Sequence, residues 1–368
     1  MEFTVKKSDI LKELGLIQGV VEKKNTIPIL SYVLITAKDD QIILVGTDMD
    51  VSLRCTCSAI VRASGTVAIQ AKRLFDIVRS LPDADVLIKK ADGDNVLLQC
   101  EKFTSKVLGQ GSENFPALPT SEQEGFETDS ETFHNLISKT SFAITQEESR
   151  YALGGALLLK GDGKLTMVAT DAHRMALIAT KPTEKADKST FRSLIPKKTL
   201  AELSKLVVEH DGKVYFCQDE NHLFFRIGPR LLVSRILSGQ FPNHELVIPK
   251  ENNRKVTVNN SWLSQAVRRV ALMADERSKA IKFNLSEGKL EIVSKSSEAG
   301  EATEIVPVEY PGPDMTIAFN AQYLIDFLNV CTDETVNIDL KDEQSQVQVR
   351  PVDQSKFDYK YIIMPMRL

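Results

Sequence analysis

The chain has 368 residues, 26% of them charged and 42% hydrophobic, with a formal net charge of −4. That length accommodates two or three domains with cores of their own, and the ordinary composition excludes a fibrous, disordered or membrane-embedded chain. A slightly acidic balance also excludes a globally basic nucleic-acid binder, so any phosphate contact must come from a local patch of Lys and Arg.

Residues 1–5, Met-Glu-Phe-Thr-Val, lead directly into strand-like sequence. They form neither a basic n-region nor an apolar h-region, and no window approaches the roughly 18 apolar residues of a membrane span. Neither secretion nor membrane insertion is therefore expected. A short strand over 3–5 is followed by a helix with Ile10, Leu14, Ile17 and Val21 at helical period and Ser8 as its cap. Residues 32–48, YVLITAKDDQIILVGTD, read as a hairpin turning at Asp39 and Asp40. A second helix, QAKRLFDIV over 70–78, then turns Leu74 inward before further strands.

The same order then begins again. A strand at 126–128 precedes a helix with Ser130, Phe133, Ile137 and Thr140. The hairpin ALLLKGDGKLTMVATD covers 156–171, and the helix PKKTLAELS covers 196–204. Strands KVYFCQ (213–218) and HLFFRI (222–227) complete this copy. A third copy runs from 256–258 through a helix with Asn260, Leu263, Val267 and Val270 to the hairpin IKFNLSEGKLEIVSK at 281–295. The helix NAQYLIDFL (320–328) and the strand QVQVR (346–350) follow. Copies recur at intervals of roughly 125 residues, and the whole order of elements repeats with the hairpins. Pro-marked segments at 114–125 and 240–253 separate them. The expected domains are 1–120, 126–246 and 250–368, each an α+β unit.

Chemistry is sparse. Cys55, Cys57, Cys100, Cys217 and Cys331 form no CxxC pair and suit reduced, structural thiols in a cytosolic chain. His134, His173, His210, His222 and His244 show no metal spacing. The stretch GDGKLT (161–166) places Leu165 where a phosphate loop needs Ser or Thr, and it occupies a hairpin turn. Asp171, His173 and Arg174 cluster in ATDAHRMAL (169–177), where Ser149 could complete a hydrolase triad, but no nucleophile elbow accompanies them. No enzyme activity, metal or cofactor is expected.

Three such repeats, ATDAHRMAL in the second, and the final YIIMPMRL together resemble the bacterial sliding clamps, the β subunits of the replicative DNA polymerase. The resemblance runs in register over the whole chain. It implies three clamp domains, each with two helices packed on antiparallel sheets. It further implies a head-to-tail homodimer closing into a ring around duplex DNA, held in the cytoplasm at the nucleoid. The implied partners are the polymerase α subunit, the clamp loader, and other polymerases and repair proteins carrying clamp-binding motifs.

Residue by residue, the resemblance places a partner-peptide pocket at Leu153, Thr170, Ala172, His173, Arg174 and Met175, with Pro242 and Val247 on the facing wall. Asn320, Tyr323 and the tail Ile362, Ile363, Met364, Pro365, Met366, Arg367 and Leu368 complete it. Chain ends are normally frayed and polar, so the apolar tail itself suggests packing or use, and two methionines suit a surface that adapts to several ligands. His173 and Arg174 are expected as hydrogen-bond donors on the rim. Ala172 and Met175 stand where Gly and Leu are frequent, Leu246 and Ser278 where some members carry Arg and Phe, and Gln344 and Gln346 where smaller residues line the pocket.

The resemblance further implies a DNA-facing set of Lys24, Lys72, Arg79, Lys139, Arg150, Tyr151, Lys198, Lys205 and Arg269. Lys72 and Arg79 lie two helical turns apart, with Lys198 and Lys205 as their repeat equivalents, and Lys139 matches Arg269. Asp76 and Glu202 sit at i+4 from Lys72 and Lys198, and pairing with them on a solvated face is the alternative to a DNA role. The implied dimer interface joins Arg73 and Lys106 of the first domain to Leu272, Met273, Glu298, Glu301 and Glu304 of the third. Sheet edges left open at the two ends favour such head-to-tail closure.

Overall fold

The computed structural model describes residues 1–21, 27–147, 149–182 and 190–367. Among the described residues, six α-helices, α1 (Lys7–Val20), α2 (Ala71–Ser80), α3 (Ser130–Ser138), α4 (Lys197–Val208), α5 (Asn260–Ala271) and α6 (Ala321–Val330), are set among antiparallel strands. Each repeat opens with one strand, at Glu2–Lys6, Phe126–Asp129 and Arg254–Asn259, and continues into its first helix. Hairpin strands, a second helix and three further strands follow in every copy. The first repeat inserts one extra short strand, Ile60–Ala63.

Two compact units are formed, residues 1–134 with 198–236, and 135–197 with 237–368. In the first, a 13-stranded sheet joins all the strands of the first repeat to four of the second. Its junction pairs Val51–Ser58 with Arg230–Arg235, setting Cys55 opposite Arg230 and Val51 opposite Ser234. In the second unit, an 8-stranded sheet is built the same way. Here Arg174–Thr180 pairs with Phe357–Ile363, with Arg174 opposite Ile363. A 4-stranded sheet of the third repeat ends in Gly300–Pro307, which pairs with Lys289–Ser296 along one side.

Local chemistry explains the elements. Asp39 (φ 51°) with Asp40 (φ 55°), and Asp162 (φ 49°) with Gly163 (φ 70°), supply the two left-handed residues that a two-residue hairpin turn requires. Alternate residues of the strands point inward, so Ile42 and Leu44 are fully buried. On α1, Ile10, Leu14 and Ile17 are no more than 1% exposed, and each such burial stabilises by about 1.5–3 kcal/mol.

Two expected helix ends are corrected. α1 begins at Lys7 after an extended Lys6, and Ser8 lies within the first turn, its hydroxyl on Asp9 rather than on a backbone amide. α3 ends at Ser138, so Thr140 is not helical: its buried hydroxyl donates to Leu136 O at 2.6 Å.

Candidate binding pocket and charged surfaces

The Thr-Asp of ATDAHRMAL builds a turn. Thr170 Oγ1 donates to Arg174 O (2.6 Å) and accepts from Ala172 N (3.1 Å). Asp171 Oδ1 accepts the amides of His173 and Arg174, both at 3.0 Å. Ala172 is thereby held at φ 77°. The first repeat contains the same turn: Thr47 Oγ1 donates to Val51 O, Asp48 Oδ1 accepts Asp50 N and Val51 N, and Met49 has φ 81°. A carboxylate fixed in this way caps backbone rather than orienting a histidine, which removes the basis for a hydrolase triad.

Arg174 departs from the expected rim role. Its side chain is only 10% exposed and its donors are committed. Nε meets Asp171 Oδ2 at 2.9 Å, one terminal nitrogen meets Asp326 Oδ2 at 2.6 Å, and the other meets Phe142 O at 2.8 Å. The guanidinium also lies 4.5 Å from the centroid of the Tyr323 ring and 5.6 Å from that of Phe142. Burial works against its charge, but Tyr361, Asp326 and Asp171 outweigh this and hold its pKa above the ordinary value. Its backbone lines the wall while its guanidinium ties the loop down. His173, by contrast, is exposed.

Around this turn lies a cavity of about 260 Å³ lined by Leu153, Thr170, Ala172, His173, Arg174, Met175, Pro242, Val247, Ile362 and Met364. Its floor is apolar, with Leu153, Met175, Phe241 and Ile362 clustered and at most 8% exposed. Phe241, His244 and Gln346 also line it. Phe241 and His244 were not expected; a Phe directly before Pro242 was the available signal. His244 is half-buried on a short 3-10 turn, His244–Val247, whose preceding Asn243 accepts Glu245 N. Burial lowers the His244 pKa, Arg192 adds to this and Glu245 opposes it.

The tail is anchored rather than frayed. Met364 N donates to His173 O (2.9 Å), and Met366 N donates to Ala318 O (2.8 Å). Met364 is 40% exposed at the pocket, whereas Ile363 is buried within the sheet. Asn320 caps α6 through Gln322 N, and Tyr323 lies beneath Arg174; neither belongs to the lining, nor do Pro365, Met366 and Arg367. Leu368 lies outside the described residues.

The expected DNA-facing cations are mostly paired. Lys72 and Arg79 share Asp76 at 2.7 and 3.1 Å, and Arg269 holds Glu304 at 2.8 and 2.5 Å. Arg150 meets Glu147 at 2.8 Å, the Lys139 ammonium sits 5.5 Å from the centroid of the Tyr359 ring, and Tyr151 is 73% exposed. Exposed pairs of this kind are weak and screened by salt, so they can exchange for other anions at little cost. The alternative Lys198–Glu202 pair is not formed. Glu202 takes Lys205 at 2.8 Å, and Lys198 reaches Asp48, whose side chain is 4% exposed, making Lys198 a structural tie. Lys24 lies outside the described residues. At the expected interface, Arg73, Lys106, Glu298 and Glu301 are exposed, Leu272 is 76% and Met273 37% exposed, and Glu304 is engaged by Arg269.

Comparison with known proteins accounts for the repeat. Models of the DNA polymerase III beta subunit match in succession: the N-terminal domain at residues 1–119, the central domain at 127–243 and the C-terminal domain at 245–367. The beta sliding clamp of Pseudomonas aeruginosa is 34% identical over 378 residues, covering 100% of both chains. That of Chlamydia muridarum is 31% identical, covering 100% of this chain and 99% of its own. The crystal structure of the Pseudomonas aeruginosa DnaN sliding clamp bound to griselimycin superposes with a TM-score of 0.94 at 33% identity, with both chains fully covered. The DNA polymerase sliding clamp from Bacillus subtilis gives 0.94 at 26% identity, covering 100% of this chain and 99% of the other. With three clamp domains in series and a match along its whole length, the chain belongs to the DNA polymerase III beta subunit family, the beta sliding clamps.

Proposed function

We propose that the protein works as a head-to-tail homodimer closed around duplex DNA, sliding without sequence preference and tethering the polymerase α subunit and other motif-bearing partners through the pocket. Its domains are 1–120, 126–246 and 250–368. The observation that carries this reading is a rule of strand pairing. At both junctions within the chain, the third hairpin strand of one repeat pairs with the last strand of the next. The corresponding strand of the third repeat, Gly300–Pro307, has one neighbour among the described residues. The last strand of the first repeat, Phe103–Gln110, pairs with Asn95–Cys100 and meets Gly65–Gln70 only through Gly109 and Gln110. Exposed Ile305 (56%) and Leu108 (72%) lie on these two edges. Pairing them across two copies removes both edges and repeats the junction already used twice. Lys106 and Arg73 would then face Glu298 and Glu301, with Leu272 and Met273 buried. Lys72, Arg79, Lys139, Arg150, Tyr151, Lys205 and Arg269 would face the DNA.

Light-scattering mass, together with retention on circular but not linear DNA, tests the ring. Leu272→Asp with Met273→Lys buries unpaired charge in that interface, at a cost of several kcal/mol, and should yield monomers that circular DNA no longer retains. A double variant that stays dimeric at micromolar concentration would overturn the interface. Deleting residues 364–368 should abolish binding of a short extended peptide bearing Gln and a terminal pair of Leu or Phe, while dimer mass is unchanged. Equal affinity for both forms would overturn the pocket.

A further inference from the structure

At both junctions within the chain, one residue of the last strand closes onto the first helix of the preceding repeat. The three first helices start in register, because Lys7 N, Ser130 N and Asn260 N donate to Ala84 O, Gly212 O and Glu334 O. Glu13, Leu136 and Ala266 are therefore equivalent, as are Lys139 and Arg269. Arg230 pairs across the sheet with Cys55 and forks onto Glu13 of α1. Cys55 and Ile178 each lie four residues beyond the Thr-Asp turn, which ends at Val51 and Arg174. Tyr359 pairs with Ile178, so it stands where Arg230 does, and its hydroxyl donates to Lys139 O at 2.8 Å just past α3. Arg230 is 6% and Tyr359 1% exposed.

Phe103 is the matching residue of the first repeat. It lies three residues beyond its hairpin partner Cys100, as Arg230 lies three beyond Ile227. It shares a strand face with Val107, which is 4% exposed, yet Phe103 itself is 40% exposed. The third repeat leaves a second aromatic side chain open on its first helix. Trp262, the only tryptophan in the chain, is 56% exposed. With Ala266 and Arg269 it occupies i, i+4 and i+7, one stripe of α5.

We infer that Phe103 of one copy packs against Trp262 and Ala266 of its partner, as Arg230 and Tyr359 pack onto α1 and α3 within the chain. This contact rests on the head-to-tail dimer proposed above and supplies its apolar anchor. The residue types agree in pairs. Where the strand carries Arg230, the helix carries Glu13; where the strand carries Tyr359 or Phe103, the helix carries Leu136 or Ala266. No charge is left stranded in any of the three. Ala266 is smaller than Glu13, which makes room for the phenyl ring and the indole to meet. Arg269 would flank that ring as the Lys139 ammonium flanks Tyr359, 5.5 Å from its centroid.

Trp262 is its own reporter. Its emission maximum and its quenching by acrylamide are followed as the full-length protein is diluted, with light-scattering mass measured in parallel. Emission should move to the blue and quenching should fall several-fold as dimer replaces monomer. A closed head-to-tail dimer holds the contact twice, so a loss of about tenfold per contact in Phe103→Ala should weaken the dimer about a hundredfold. Phe103→Arg should weaken it further, because Ala266 offers that charge no partner. Phe103→Tyr, copying the third repeat, should keep the affinity within a few-fold. A dimer in which Trp262 stays as open to acrylamide as in the monomer, or unchanged affinity in Phe103→Ala, would overturn this contact while leaving the ring standing. A chain that stays monomeric at every concentration would overturn the proposed dimer and the contact with it.

Discussion

Arg174 of the second repeat and Asp326 of α6 in the third meet at 2.6 Å, with side chains only 10% and 20% exposed. The same guanidinium holds Asp171 and Phe142 O, so one side chain joins the Thr-Asp turn, the segment after α3, and α6. Removing it leaves two carboxylates with an unmatched charge. Arg174→Ala should therefore destabilise by about 3–5 kcal/mol in urea unfolding. Arg174→Lys should recover little, because a single ammonium cannot make the forked contacts. His173→Ala, at an exposed position, should stay within about 0.5 kcal/mol of the parent. Equal stability for all three variants would contradict the assignment of Arg174 as a structural tie.

Ala172 and Met49 occupy matching places in two copies of one turn, at φ 77° and 81°. A side chain there costs roughly 1–2 kcal/mol in left-handed strain, partly offset by the lower chain entropy of a non-glycine residue when unfolded. Ala172→Gly and Met49→Gly should each raise stability by about 0.5–1 kcal/mol, read as a higher thermal midpoint. The same change at Ala176, fully buried in a strand, should lower it.

The repeat was legible in the sequence because hairpin turns and helix periodicity recur in one order, and the strand order follows from it. Pocket membership was legible at Leu153, Thr170, Met175, Val247 and Met364 only through likeness of motifs. The role of Arg174 was not legible, because its partners Phe142 and Asp326 are distant in the chain and meet it only through packing. Lys198 departs for the same reason: helical spacing offers Glu202, but the fold supplies Asp48, whose side chain is 4% exposed. Ser8 has the residue type of a cap, yet the preceding strand runs on to Lys6, so the helix starts before a cap at Ser8 can act.

Glu13 on α1 and Arg230 form a buried pair, Oε2 to Nε at 2.9 Å and Oε1 to a terminal nitrogen at 2.7 Å, with side chains 7% and 6% exposed. Breaking it strands one charge. Arg230→Met should cost about 3–5 kcal/mol, whereas Glu13→Leu combined with Arg230→Met should recover most of the loss, since the two apolar residues leave no buried charge and Glu209, the other partner of Arg230, is 36% exposed and keeps Lys12. A double-mutant cycle measures the coupling, and additive losses would show that the pair is not an interacting unit.

His244 gives the pocket a sensitivity to acid. Burial, with a smaller contribution from Arg192 and against the pull of Glu245, holds its pKa below the ordinary 6.5. Between that lowered value and 6.5, the unfolded chain takes up a proton that the native protein refuses. Native stability therefore rises with pH across this window, is fully present above it, and is lost as pH falls through it. A peptide seated in the pocket would shield the imidazole further, so affinity should weaken on the same acidification. His244→Asn removes the titration while keeping a polar side chain. Urea unfolding and peptide titration at pH 5.5 and 7.5 should show a smaller pH difference in the variant than in the parent, which subtracts the contribution of the other four histidines. Parallel pH profiles for the two proteins would mean that His244 ionises as freely in the native wall as in water.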